Sequence, residues 1–317
     1  MSSCAVAKKK KKRKKSVVSV VTSSWRPIRS KKRARKVTSE FHKLYSEKKT
    51  LEENVRGKRG KAKIQKRLAE VNREIEMLGG HRAYQSASIL TTAQNRSTSR
   101  WVFRTLNEHS LRPRKGQSPL KVLEIGAINT QILSCAWMDV TAIDLNSNDP
   151  RIRQRDFFEI VPEGGFDVLV CAMVLNFVPN AWKRGEMILR AYEHLKLGGH
   201  FFLVLPSRCI SKSKFVDRKT LLAMLAGVGF DLCAEDSSPK IDFFYLRKVE
   251  PLTPTTRSEG GNEDRVIKDR RASLSKYCKE PAVAFRGRKR TNAFAVAFRE
   301  GDLNCTRFKG KIRASEL

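Results

Sequence analysis

The sequence predicts an α/β fold: a mostly parallel sheet with helices on both faces, in the middle of a strongly basic chain. Three observations predict it. Between residues 118 and 250, short apolar runs alternate with segments of helical period, the pattern of strands covered on both faces by the helices that connect them. The charge is segregated. Of the net +33, residues 1–80 carry +19 (26 basic, 7 acidic) and residues 81–117 carry +6 (7 and 1). Residues 118–250 carry none (16 and 16), and residues 251–317 carry +8 (16 and 8). The first apolar run also closes on a glycine, and the second closes on an aspartate.

Residues 1–37 form a basic tail, with KKKKKRKK at 8–15 and KKRARK at 31–36. Such runs cannot bury themselves and are expected to be disordered. They suit nuclear import and affinity for a polyanion, since each neutralised phosphate releases counterions; the alternative is a solubilising tail. Residues 38–117 read as a helical and polar extension. From 38 to 78, Phe41, Leu44, Tyr45, Ile64, Leu68, Val71, Ile75 and Leu78 recur at spacings of three and four. Thr38-Ser39-Glu40 offers caps at the start, Gly57 and Gly60 split the run in two, and Gly79-Gly80 stops it. Residues 81–117 show no regular period; Tyr84, Trp101 and Phe103 stand among hydroxyls, amides and arginines.

The domain proper spans 118–250. LKVLEIG (120–126) reads as strand one, followed by a short helix at 129–137 and strand two at 138–144. Strand three is short, at 154–157, and strand four is FDVLVCAMV at 166–174. A helix at 181–196, ended by Gly198-Gly199, leads to strand five at 200–206. A helix at 217–230 with an Asp cap and a Gly stop precedes a hairpin of 231–236 and 241–248. Residues 251–317 begin with a linker by composition, PLTPTTRSEGG, and continue as a basic tail expected to be disordered, with no second core. AVAF occurs at 282–285 and again at 295–298, too briefly to make a repeat.

Several classes are disfavoured. The seven cysteines are scattered without a CxxC pair, against a zinc ribbon or a disulfide framework. The five histidines lack metal-ligand spacing, so no metal is expected. No apolar stretch approaches the ~18 residues of a membrane span, so no membrane partner is expected.

The candidate site lies where strands one, two and four end, because open α/β sheets bind ligands beyond the carboxyl ends of their strands. After Gly126 come Ala127, Ile128, Asn129 and Thr130, so the triple-glycine cradle for a dinucleotide pyrophosphate is absent. S-adenosylmethionine (SAM) has no phosphate, and one glycine suits it better. Asp144, 18 residues after Gly126, can accept hydrogen bonds from both hydroxyls of a ribose, or else serves as a turn aspartate. Glu124 offers a carboxylate to a ligand amine or to backbone, and Asp156 offers one to an adenine amino group or to a helix cap. After strand four, Asn176 presents a donor and an acceptor to a base edge, Phe177 a stacking face, and Pro179 a stiff loop. These three are the candidate catalytic residues; Gly126, Asp144, Glu124 and Asp156 are the candidate SAM contacts.

AYQSAS (83–88), LEIGAINT (123–130), Asp-Leu-Asn-Ser (144–147), QRDFFE (154–159), MVLNFVP (173–179), RGEMIL (184–189) and FFLVLP (201–206) together resemble the fungal 25S ribosomal RNA adenine-N(1) methyltransferases, over roughly residues 80–250. The resemblance implies a Rossmann-like class I SAM-dependent methyltransferase that methylates N1 of an adenine in large-subunit rRNA. It also implies work on pre-ribosomal particles in the nucleolus of the nucleus, with Gly126 and Asp144 as SAM contacts. The runner-up readings are a SAM-binding sensor and a non-catalytic methyltransferase-like ribosome-assembly factor.

Overall fold

The computed structural model describes residues 28, 30–55, 61–92, 98–147, 149–249, 272–282, 285, 290–303 and 312–313. The disorder expected for residues 1–27 and for the linker at 251–271, and the break assigned to Gly57 and Gly60, lie outside them. The N-terminal helices are α1 (Lys31–Val55), α2 (Lys61–Met77), α3 (Gly80–Thr92) and α4 (Thr98–Glu108). The strands of the central domain are β1 (Leu120–Ile125), β2 (Met138–Asp144), β3 (Arg153–Gln154), β4 (Ile160–Val161), β5 (Phe166–Ala172), β6 (Leu195–Pro206), β7 (Phe230–Ser237) and β8 (Ile241–Lys248). Its helices are α5 (Ala181–His194), α6 (Arg208–Ser211) and α7 (Arg218–Val228).

Seven strands form one sheet in the order β3-β2-β1-β5-β6-β8-β7, while β4 pairs apart with β9 (Ile312–Arg313). Pairings from β3 through β6 are parallel, and β8 runs antiparallel to both β6 and β7. This is the α/β architecture the sequence predicts. The chain runs outward from β1 through β2 to β3, then returns to β5 on the other side of β1. That reversal opens a crevice at the carboxyl ends of β1 and β5.

Successive side chains of the strands divide between two cores. Leu123, Leu169, Cys171, Leu203 and Phe244 pack under α5 and α7. Val122, Val168, Val170, Phe202 and Tyr245 pack under Trp101, Val102 and Leu106 of α4. The alternation follows from strand geometry, and each fully buried apolar side chain contributes about 1.5–3 kcal/mol. Helix ends follow the caps written in the sequence. Asn180 Oδ1 accepts from the Lys183 amide at 2.8 Å, Asp217 Oδ1 accepts from the Thr220 amide at 2.8 Å, and Gly229 closes α7 at φ +114°.

Five expectations need correction. No helix forms at 129–137. Asn129 Oδ1 takes the Gln131 amide at 2.9 Å, the chain makes one turn, and Ile132 drops into the core beside α4. Residues 81–117 are not irregular throughout, because α3 and α4 lie there; on α4, Trp101, Val102, Thr105 and Leu106 share one buried face at helical spacing. Helix α1 begins at Lys31, so the basic cluster at 31–36 is helical; Ser30 Oγ accepts from the Arg33 amide at 3.4 Å. Thr38 therefore caps nothing, and its hydroxyl donates to the Ala34 carbonyl inside the helix. Helix α5 stops at His194, so Gly198-Gly199 falls within β6.

The fifth correction is the largest. The described residues between 272 and 303 are packed, not a disordered tail: Leu274, Phe294, Val296, Phe298 and Leu303 belong to the core under α5 and α7. Its described residues hold little regular structure, so periodicity could not reveal it. Its backbone is satisfied by other elements. The Ala297 amide donates to the Ala181 carbonyl at 3.0 Å, the Asn292 amide to the Lys212 carbonyl at 2.8 Å, and Arg184 to the Ala295 carbonyl at 2.7 Å. Gly185 makes room for it: a Cβ there would sit 1.9 Å from the Ala297 carbonyl oxygen.

Candidate active site

A cavity of about 1390 Å³ opens over the crevice between β1, β2 and β5. Its floor is the end of β1. Gly126 adopts φ +73°, open to glycine at no steric cost, and the Gly126 and Ala127 amides both donate to the Ile143 carbonyl, at 2.8 and 3.0 Å. A Cβ at Gly126 would lie 2.3 Å from Val174 Cγ2 and 4.0 Å from Asp144 Oδ2. The glycine is thus demanded first by the backbone and by the loop after β5, beyond any approach of a ligand.

Glu124 and Asp144 face this floor. Glu124 stands on the α4 side of β1, where Ser99 Oγ donates to Gln131 Oε1 at 2.5 Å nearby. Its Oε2 is buried without a hydrogen-bond partner among the described residues, and burial pushes the carboxyl up to about 8. An orphaned carboxyl oxygen on a cavity wall is the fit expected for a ligand ammonium. Asp144 ends β2 with Oδ1 accepting from the Asn146 amide at 2.8 Å. Burial raises its carboxyl above the ordinary value, while the Asn146 amide and the His81 ring pull it back.

Asp156 also lines the cavity, but its Oδ1 accepts from the Phe158 amide at 2.9 Å and caps a short 3-10 turn. Both roles offered by the sequence are therefore compatible with its position. Beyond β5, the Met173 amide is tied to the Val204 carbonyl at 2.9 Å and Met173 takes φ +60°, a conformation that costs a non-glycine residue about 1 kcal/mol or more. This bend aims the next residues at the cavity. Phe177, Val178 and Pro179 form part of its wall; Asn176 does not, and its Oδ1 is buried without a partner among the described residues.

The roof of the cavity comes from residues that the sequence reading left out of the site. Phe41, His42 and Tyr45 on α1, with His81 and Tyr84 on α3, face Phe177 across the opening. Phe41 stacks on Tyr84 with ring centroids 4.4 Å apart, and His42 lies nearly parallel to Phe177, 5.4 Å away at 23°. The signal was present as aromatic and histidine residues at helical spacing, 41 with 45 and 81 with 84, but a helix packed on its neighbours carries the same spacing. Among the described residues no three His, Cys, Asp or Glu side chains cluster to hold a metal, and no helix is long and apolar enough to cross a membrane.

Comparison with known proteins bears on this geometry. The family model described as 25S rRNA (adenine(2142)-N(1))-methyltransferase, Bmt2, matches residues 69–282. The match therefore runs from α2 to beyond the linker and includes part of the packed C-terminal segment. A 25S rRNA adenine-N(1) methyltransferase of Schizosaccharomyces pombe is 33% identical over 229 residues, 68% of this chain and 80% of the relative. A 25S rRNA (adenine(2142)-N(1))-methyltransferase of Saccharomyces cerevisiae is 33% identical over 203 residues, 61% of this chain and 58% of the relative. Among solved structures, a 1,6-didemethyltoxoflavin-N1-methyltransferase of Burkholderia thailandensis aligns with 48% of this chain and 79% of its own at 18% identity, with a TM-score of 0.39, too distant to bear on the site.

Proposed function

The chain belongs to the family of 25S rRNA adenine-N(1) methyltransferases, and from that premise we propose that it transfers the methyl group of SAM to N1 of an adenine in large-subunit ribosomal RNA. The observation that carries the reading is the site itself: the family match over residues 69–282 covers the floor of a cavity that holds the orphaned buried carboxyl of Glu124 and, at the end of β2, Asp144.

SAM, when bound, supplies an activated methyl on a sulfonium. The chain's own residues then have three tasks. Glu124 would accept from the ammonium of the methionyl end, which draws its carboxyl back to the ionised form. Asp144 would accept from the ribose hydroxyls, and Asp156 from the adenine amino group of the cofactor. The loop of Phe177 and Pro179 would orient the acceptor, since positioning supplies most of the barrier reduction when the donor is already activated. N1 of adenine carries a free lone pair near neutral pH, so no strong base is required. It lies on the Watson–Crick edge, so the base must leave its helix before reaction.

Basic residues on both flanks suit an RNA substrate, and the runs at 8–15 and 31–36 suit import to the nucleus and residence in the nucleolus on pre-ribosomal particles. Mass spectrometry of rRNA nucleosides from cells with and without the gene tests the reaction: loss of 1-methyladenosine is the expected result, and an unchanged level rejects it. Imaging of the tagged chain tests the location.

A further inference from the structure

The cavity is larger than its cofactor requires. Small-molecule pockets measure roughly 300–1,000 Å³, and this one measures about 1390 Å³. Part of its lining is the aromatic roof. There the rings form a box. His42 and Phe177 are its two near-parallel plates, 5.4 Å apart at 23°. Tyr84 stands across their ends, at 84° to His42 and 68° to Phe177, with centroids 5.3 and 6.2 Å away. Tyr45 meets Phe177 at 68° and 6.0 Å and closes another side.

We propose that this box is the acceptor-base site: the target adenine enters between His42 and Phe177, with Tyr84 and Tyr45 as side walls, so that the N-terminal helices supply half of the substrate site. The inference rests on the adenine-N1 reading above. Seating a purine between two plates needs about 7 Å, two contact distances of ~3.5 Å; the ring centroids are 5.4 Å apart, so the plates must part by at least roughly 1.6 Å. His42 can yield that distance because it is exposed on α1, whereas Phe177 is half-buried in a loop tied to β6. Stacking on aromatic faces tolerates any base; selection of adenine then falls to groups that meet its edge. Aromatic faces also suit the product, because 1-methyladenine is a cation and ring faces attract positive charge.

The test is steady-state methylation of unmethylated 25S rRNA by the full chain, with SAM binding measured in parallel by calorimetry. His42→Ala is expected to lower kcat/KM by about 5- to 150-fold, the range for losing one base–aromatic stack, mainly through KM for RNA, with the SAM Kd unchanged within twofold. His42→Phe, which restores a plate, is expected to recover most of the loss. Because His42 is exposed, neither variant threatens folding; Tyr84→Phe against Tyr84→Ala gives the same reading from α3. A His42→Ala chain with kcat/KM within twofold of wild type overturns the box, as does a loss of SAM affinity that matches the loss of rate. A wild-type chain that binds SAM yet methylates no rRNA overturns the adenine-N1 reading and the box with it.

Discussion

The two flanks of the central sheet are both basic, +19 over residues 1–80 and +8 over 251–317, yet they are built in opposite ways. The described residues of the N-terminal flank are almost wholly helical, and with α3 their apolar residues form small clusters of their own: Phe41, Leu44, Val71 and Ile75 in one, Ala34, Val37, Ala83 and Ala87 in another. The described residues of the C-terminal segment hold little regular structure, yet Leu274, Phe294, Val296 and Phe298 are part of the main core. Regularity and integration are therefore separate properties. What ties a segment to a domain is the apolar surface it places in the shared core, and what lets a segment open locally is a core of its own.

The strongest way to break this comparison is to truncate one ring on each side. Phe298 and Phe41 are equally buried, 0% and 1% exposed. Phe298→Ala should cost about 3–5 kcal/mol in the main unfolding transition, read from urea midpoints. Phe41→Ala should leave that transition within about 1 kcal/mol while accelerating amide exchange across α1–α3. Equal shifts in the main transition would abolish the distinction.

The next test separates the two regions by what perturbs them. Glu124 sits in the sheet with its carboxyl raised from 4.5 to about 8 by burial. Between those values the folded chain holds a proton that the unfolded chain has lost, so stability falls as pH rises from about 4.5 to 8, by up to a few kcal/mol. Glu124→Gln should flatten that slope in denaturant titrations at several pH values. If Glu124 meets the SAM ammonium, binding near pH 7 should also release close to one proton. Calorimetry in buffers of different ionisation enthalpy would detect it, and the Gln variant should lose it.

A smaller effect concerns the fit of the C-terminal segment against α5. In an open helix, replacing glycine by alanine gains about 1 kcal/mol. At Gly185 the added Cβ meets the Ala297 carbonyl, so Gly185→Ala should instead lose about 1–3 kcal/mol of thermal stability. A gain would mean that the segment does not press on the helix.

The smallest effect belongs to the N-terminal helices. Arg67 reaches Glu47 on α1 at 2.7 Å, and Glu74 and Glu70 on its own helix at 3.0 and 3.2 Å. All four are well solvated, so Arg67→Ala should shift the melting of α1–α3 only slightly, and salt near roughly 1 M should erase the difference. A large, salt-independent loss would make this region a partner of the core.

The readable part of the fold was the part with a repeating period. Strands β1, β2, β5 and β6, helices α5 and α7 and the cap Asp217 are set by local spacing and by side chains that satisfy nearby backbone. Gly126, Asp144 and Glu124 were legible for the same reason, because a strand end fixes where its last residues point. The helix expected at 129–137 failed because one Asx turn at Asn129 and the burial of Ile132 outweighed a short run of weak formers. Asn176 was the other weak point: its loop position gives it the chemistry of a base contact, but the bend at Met173 brings Phe177 and Pro179 to the cavity wall instead.

By itself, the sequence determined the class of fold, the succession of the main strands along the chain and the glycine and the acid that end the first two, because each is written in a local pattern. Tertiary structure alone decided that a segment beyond a linker completes the core and that helices about 90 to 135 residues upstream of Phe177 roof the cavity. Those contacts join distant parts of the chain through shape and burial, which leave no period in either partner for a sequence to display.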